Sequence, residues 1–168
     1  SNDSGLAEQH AQALAKEQGK IYVSPYNDPQ VIAGQGTIAL ELLEQLPRLD
    51  VVYVSIGGGG LISGIGSVLK AFSPQTRVVG VSAKNSAALA ASIRAGQMVE
   101  VKHSDTLADG CAGSVDGASM TLPLGIEVID ALIDCSEEQI EDGLRHIAWT
   151  EKMLVEGSAG LALAAWLA

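Results

Sequence analysis

Apolar positions fall along this chain in two periods, and the alternation between them outlines its elements. From Ser4 to Gln18, Leu6, His10, Ala13 and Leu14 share one face at helical spacing. Ile21-Tyr-Val-Ser24 reads as a short strand and Pro25 to Ala33 as a loop. A helix is expected from Gly36-Thr37 to Leu46, with Thr37 as its cap and Pro47 as its stop. Val51-Val-Tyr-Val-Ser-Ile56 is a continuous apolar run, the pattern of a strand buried on both faces. Four glycines follow at once, then a helical stretch from Leu61 to Phe72, then a second strand over Arg77–Ser82. Strand, helix and strand in that order form a βαβ unit, which predicts a parallel sheet.

Beyond it, Ser86 to Ala95 reads as helix, Gly96 to Ala118 as a long loop, and Leu122 to Leu132 as helix again. Ser136-Glu-Glu-Gln139 has the form of a capping box, in which the Ser and Gln side chains each satisfy the other's backbone amide. The helix it opens carries Ile140, Leu144, Ile147 and Leu154 on one face. A last helix begins at Gly157-Ser158, with Ser158 as the expected cap. The fold class is therefore α/β: an open, mostly parallel sheet flanked by helices. The final stretch, Leu161 to Ala168, is apolar and has no stop signal. The expectation is one incomplete domain spanning residues 1–168 of a longer protein.

Composition narrows the function classes. Apolar residues make up 47% and charged residues 18% of 168 residues, enough for one packed core. The net charge of -10 disfavours non-specific binding to nucleic acid or to anionic membranes. A small anion remains compatible, because backbone dipoles can bind one inside an acidic protein. Cys111 and Cys135 are too few and too far apart for a zinc site, which suits a reduced, cytoplasmic setting. No apolar run approaches the ~20 residues of a membrane span. His10, His103 and His146 are scattered and form no recognisable catalytic set.

The strongest chemical signal is Ser55-Ile-Gly-Gly-Gly-Gly-Leu61. Glycines between a buried strand and a helix start let backbone N–H groups approach a ligand closely, and the helix end adds a positive dipole. A phosphate group suits such a place. A dinucleotide fits less well, because Gly58-x-Gly60 is followed by Ser63 rather than glycine, and the next strand ends Val81-Ser82-Ala83-Lys84 without a carboxylate for a ribose. No Gly-Lys-Ser/Thr follows, so a P-loop is excluded.

Four segments then occur in order: Ala33-Gly-Gln-Gly-Thr37, Ile56-Gly-Gly-Gly-Gly-Leu61, Thr106-Leu-Ala-Asp-Gly110 and Glu156-Gly-Ser-Ala-Gly160. The set resembles the serine/threonine dehydratase family, which includes threonine deaminases and serine racemases, and the resemblance covers essentially the whole chain. It implies a fold type II pyridoxal 5'-phosphate enzyme, with the cofactor between two α/β domains and residues 1–24 at the junction with the smaller one. On this resemblance Gly57, Gly58, Gly59, Gly60 and Leu61 match the phosphate cradle. Asp109 and Gly110 match a loop beside the cofactor ring, and Glu156 matches a carboxylate near it. A bulky residue at Gly58 or Gly59 is then expected to take the phosphate's place. The implied activity is deamination of a small hydroxy amino acid, and an apolar surface left where further elements would pack points to an assembly of like chains. A racemase of the same family, or a non-catalytic phosphate-binding domain, remains the alternative.

Absences bear on the same point. The family's cofactor lysine lies in a Ser-Phe-Lys-x-Arg-like segment, and none is present here. Ser82-Ala-Lys84-Asn-Ser86 is a faint echo that lacks the aromatic and the arginine, so no catalytic residue is assigned. Relatives with a divalent metal near the cofactor place a Glu and an Asp after the strand that Arg77–Ser82 matches. Ala83 and Leu89 stand there instead, so no metal site is expected.

Overall fold

A computed structural model of the chain describes residues 4–168. Helix α1 spans Ser4–Glu17, α2 Pro29–Gln45, α3 Gly60–Phe72, α4 Ala88–Ala95, α5 Thr121–Val128, α6 Glu137–Thr150 and α7 Gly157–Leu167. Strands β1 (Val51–Ser55), β2 (Arg77–Ala83) and β3 (Ala131–Cys135) form one parallel sheet in the order β1-β2-β3. The parallel α/β class expected from the sequence is the class observed.

Period-two alternation in β2 sends its side chains to two cores. Val79, Val81 and Ala83 pack with Ile140 of α6 and Leu161 and Ala164 of α7 on one face. Val78 packs with Val54, Ile56 and the α3 residues Ile62, Ile65 and Leu69 on the other. Burying Ile62 and Leu69 contributes roughly 1.5–3 kcal/mol each. Gly80 lacks a side chain because a Cβ there would fall 2.3 Å from Ile56 Cδ1. Asp130 sits before β3 and holds Val78 from both sides. Its N–H donates to Val78 O at 2.9 Å, and its Oδ2 accepts from Val78 N at 2.7 Å. Lys70 at the end of α3 closes on the same carboxylate at 2.7 Å.

Several expected elements are corrected. Ile21–Ser24 forms no strand and pairs with none among the described residues, leaving Ile21 92% and Val23 61% exposed. Helix α2 starts seven residues before Gly36. Asp28 caps it by accepting from Gln30 N and Val31 N, and Pro29 sets its first turn. Thr37 is therefore mid-helix, where its hydroxyl donates to Gly34 O at 2.8 Å instead of capping. Gly36 serves packing: α2 crosses α3 so closely that a Cβ on Gly64 would lie 2.7 Å from Gly36 N. The apolar run Leu122–Leu132 is not one helix. It breaks at Ile129-Asp130 into α5 and β3. Strand β1 is an edge strand of the described sheet, and of its residues only Val54 is fully buried. Leu154 lies outside α6 and is 94% exposed. The Ser136–Gln139 capping box forms as expected.

Candidate functional site

The carboxyl end of β1 runs into the glycine loop, and there the sequence forces an unusual helix start. Gly59, the N-cap of α3, has φ 90° and ψ 0°, a left-handed conformation that residues with a Cβ rarely adopt. Around it the backbone is pressed by neighbours. A Cβ on Gly57 would lie 3.0 Å from Cys111 Cα, and on Gly58 2.3 Å from the Tyr26 ring. On Gly59 it would lie 2.3 Å from Leu89 Cδ2 and 2.9 Å from Thr121 Cβ. This corrects one expectation: a bulky side chain at Gly58 or Gly59 would strike protein before it reached any ligand.

The amides of the loop behave differently from its α-carbons. The N–H groups of Gly57, Gly58, Gly59, Gly60 and Leu61 find no acceptor among the described residues. Such a cluster of unaccepted donors at a helix start suits an anion. A second helix start comes to the same place. Ser55 Oγ donates to Ser158 O at 2.7 Å, tying the end of β1 to the first turn of α7.

Glu156, not Ser158, is the N-cap residue of α7, and its side chain makes no capping bond. Ser158 is only 6% exposed and its Oγ finds no well-formed hydrogen bond. It faces the Cys111 thiol, and a Cβ on Gly110 would lie 2.9 Å from it. Burial pushes the Cys111 thiol up, the Ser158 hydroxyl opposes this, and the carboxylates of Glu156 and Asp109 reinforce it.

All the residues expected from the sequence line one cavity of about 660 Å³. Gly57 to Gly60 and Leu61 form part of its wall, and Asp109, Gly110 and Glu156 another part. Asp109 also behaves as a turn former, accepting from Gly110 N at 2.9 Å. Lys84 is absent from this lining. It is exposed beyond β2, with its N–H on Cys135 O. Ala83 and Leu89 are core residues, each 1% exposed, and the described residues contain no cluster of metal-ligating side chains.

The structure adds residues that the sequence reading missed. Tyr26 covers the glycine loop, donates to Glu8 Oε2 at 3.1 Å and accepts from Asp116 N at 2.9 Å. Burial, more than the neighbouring carboxylates, pushes its phenol up to about 12. Thr121 Oγ1 donates to Gly58 O at 2.7 Å. Asp28-Pro29, a helix start in plain view, could have placed Tyr26 just ahead of a turn. Ser158 stood beside Glu156 in a motif already singled out. Nothing in the sequence marks Thr121.

The pyridoxal-phosphate dependent enzyme family model matches residues 1–168. The chain belongs to that family. The L-threonine ammonia-lyase of Thermotoga maritima is 40% identical over 154 residues, 92% of this chain and 38% of the relative. The catabolic L-threonine dehydratase of Escherichia coli K12 is 41% identical over the same length, 92% of this chain and 46% of the relative. The chain thus spans less than half of these curated relatives. Among solved structures, maize serine racemase superposes with a TM-score of 0.88 at 34% identity, covering 96% of this chain and 48% of that one. Threonine deaminase isoform 2 of Solanum lycopersicum gives 0.86 at 32% identity, with coverages of 93% and 45%. The family's cofactor is pyridoxal 5'-phosphate. The unaccepted amides of Gly57–Leu61 and the buried Ser158 hydroxyl fit its phosphate end. No helix among the described residues is long and apolar enough to cross a membrane.

Proposed function

We propose that this chain is the phosphate-holding portion of a pyridoxal-phosphate dependent ammonia-lyase that deaminates a small hydroxy amino acid, L-threonine or L-serine. The observation that carries the reading is the run of five amides without an acceptor at the start of α3. On this reading Gly57, Gly58, Gly59, Gly60 and Leu61 hold the phosphate with their N–H groups, and the positive ends of α3 and α7 add to the attraction. Asp109, Gly110 and Glu156 form part of the wall beside the ring. Tyr26 and Leu61 keep water from that wall. The cofactor, when bound, supplies the electron sink for loss of the α-proton and the β-hydroxyl.

The lysine that would carry the cofactor has no counterpart among these 168 residues, and Lys84 lies outside the cavity. Residues 1–24 then form the junction with a second, smaller domain that holds the substrate carboxylate. Both curated relatives are named for threonine, which favours the lyase. The likeness to maize serine racemase supports a racemase as the second reading. Exposed apolar side chains such as Ile21, Trp149 and Leu154 support self-association. Two unpaired cysteines support a reduced, cytoplasmic setting.

A phosphorus-31 titration tests the cradle directly. Pyridoxal phosphate should shift and broaden on adding the chain, and inorganic phosphate should compete. Pyridoxal without its phosphate should not bind. Equal binding of pyridoxal would remove the basis of the reading.

A further inference from the structure

We propose that Thr121 is a positioning residue for the glycine loop: its hydroxyl holds the Gly58 carbonyl and thereby aims the Gly59 N–H. The proposal rests on the phosphate reading above only for what that N–H then does. Thr121 is the first residue of α5 and is 0% exposed. Its Oγ1 lies 2.7 Å from Gly58 O and 2.7 Å from Ser119 Oγ. A hydroxyl has one proton. Thr121 gives it to the carbonyl, so Ser119, itself 6% exposed, must donate to Thr121. Ser119 Oγ in turn accepts from Thr121 N at 3.2 Å. The direction of the whole chain of bonds is fixed.

The chain contains no cis peptide among its described residues, so the Gly58 carbonyl and the Gly59 N–H lie in one plane and point in opposite directions. Holding the carbonyl on α5 turns the N–H away from α5. That matters in a run of glycines, where little else resists rotation of the peptide plane. A rotated plane would present a carbonyl oxygen, not a donor, to an anion. The start of α5 is itself anchored to the segment that covers the loop. Asn27 Oδ1 accepts from Met120 N at 2.9 Å, and Asn27 Nδ2 donates to Asp116 Oδ2 at 3.3 Å.

Thr76 offers a matched control. It is also 0% exposed, donates from Oγ1 to Leu49 O at 2.7 Å and pairs with Ser73 Oγ, but it lies before the opposite end of β2. Three variants of the full chain are compared: Thr121→Val, Thr121→Ser and Thr76→Val. The readouts are the melting temperature, the residual dipolar coupling of the Gly59 N–H, which reports its orientation, and affinity for pyridoxal phosphate and for inorganic phosphate. Thr121→Val and Thr76→Val should lower the melting temperature alike. Only Thr121→Val should change the Gly59 coupling, and it should weaken both ligands by about tenfold. Thr121→Ser should restore both. The proposal is overturned if Thr121→Val matches Thr76→Val in coupling and affinity, or if Thr121→Ser fails to restore them. Should the unaltered chain bind neither ligand, the phosphate reading falls, and the Gly59 coupling still decides the role of Thr121.

Discussion

The Tyr26 ring lies directly against the backbone of Gly58, where a Cβ would sit 2.3 Å from its Cγ and 2.4 Å from its Cδ1. The aromatic residue thus takes the space that the glycine leaves, and the glycine loop is half of a packed interface. Gly58→Ala must push the ring aside, which should cost about 1–3 kcal/mol. Urea unfolding measures it. The cost should shrink in a Tyr26→Leu background, because the two positions share one contact. Additive losses would show that the ring does not press on the loop.

Stability at high pH should report on the same tyrosine. Its phenol titrates near 10 when unfolded and about 12 when folded, so the folded chain keeps a proton that the unfolded chain releases. The stabilisation is complete below pH 10 and is lost as pH rises from 10 to about 12. Unfolding free energies across that window should fall in the unaltered chain and fall less in Tyr26→Phe. Absorbance of the phenolate should show a tyrosine titrating at about 12 that is missing in Tyr26→Phe.

The start of α2 should depend on one side chain. Asp28 Oδ1 accepts from Gln30 N at 2.8 Å and Val31 N at 3.1 Å. Asp28→Ala should cost about 1 kcal/mol, and Asp28→Ser should recover most of it. Equal unfolding midpoints for all three proteins would show that Pro29 alone fixes the start.

Chemistry by the chain itself should be absent. No lysine lines the cavity, and a missing general base typically costs ~10²–10⁴-fold in rate. With pyridoxal phosphate present, ammonia release from serine or threonine should stay at the level of free cofactor, and Lys84→Ala should not change it. Turnover abolished by Lys84→Ala would bring that residue back as the reactive amine.

How legible this was in the sequence depended on whether the signal was local. The βαβ unit around Gly57–Gly60 could be read because its strands are apolar runs and its helix follows glycine at once. The Ser136–Gln139 cap could be read because both partners lie within four residues. Strand β3 was hidden because Leu122–Leu132 keeps apolar residues at helical spacing, and the tertiary bond between Asp130 and Val78 separates helix from strand. Asp28-Pro29 was legible but outweighed by Gly36-Thr37, whose glycine turned out to serve a helix crossing. At the site, the glycines, Asp109, Gly110 and Glu156 were found because they belong to motifs. Tyr26, Ser158 and Thr121 act across gaps of sequence that no spacing encodes; Thr121 reaches a carbonyl 63 positions away.

The grip of Asp130 on Val78 has a consequence for how the sheet counts its residues. Strands that alternate apolar and polar positions align themselves, since a slip by one residue puts charges in the core. Val78-Val79 and Ala131-Leu132-Ile133 offer no such penalty among themselves, because a slipped pairing would match apolar with apolar. The Asp130 carboxylate, held on the Val78 N–H, adds to the reading frame that Asp134 sets through Arg94. Lys70 then guards that frame with charge. The pairing of Val79 with Ala131 is thus held in part by a residue that belongs to neither strand.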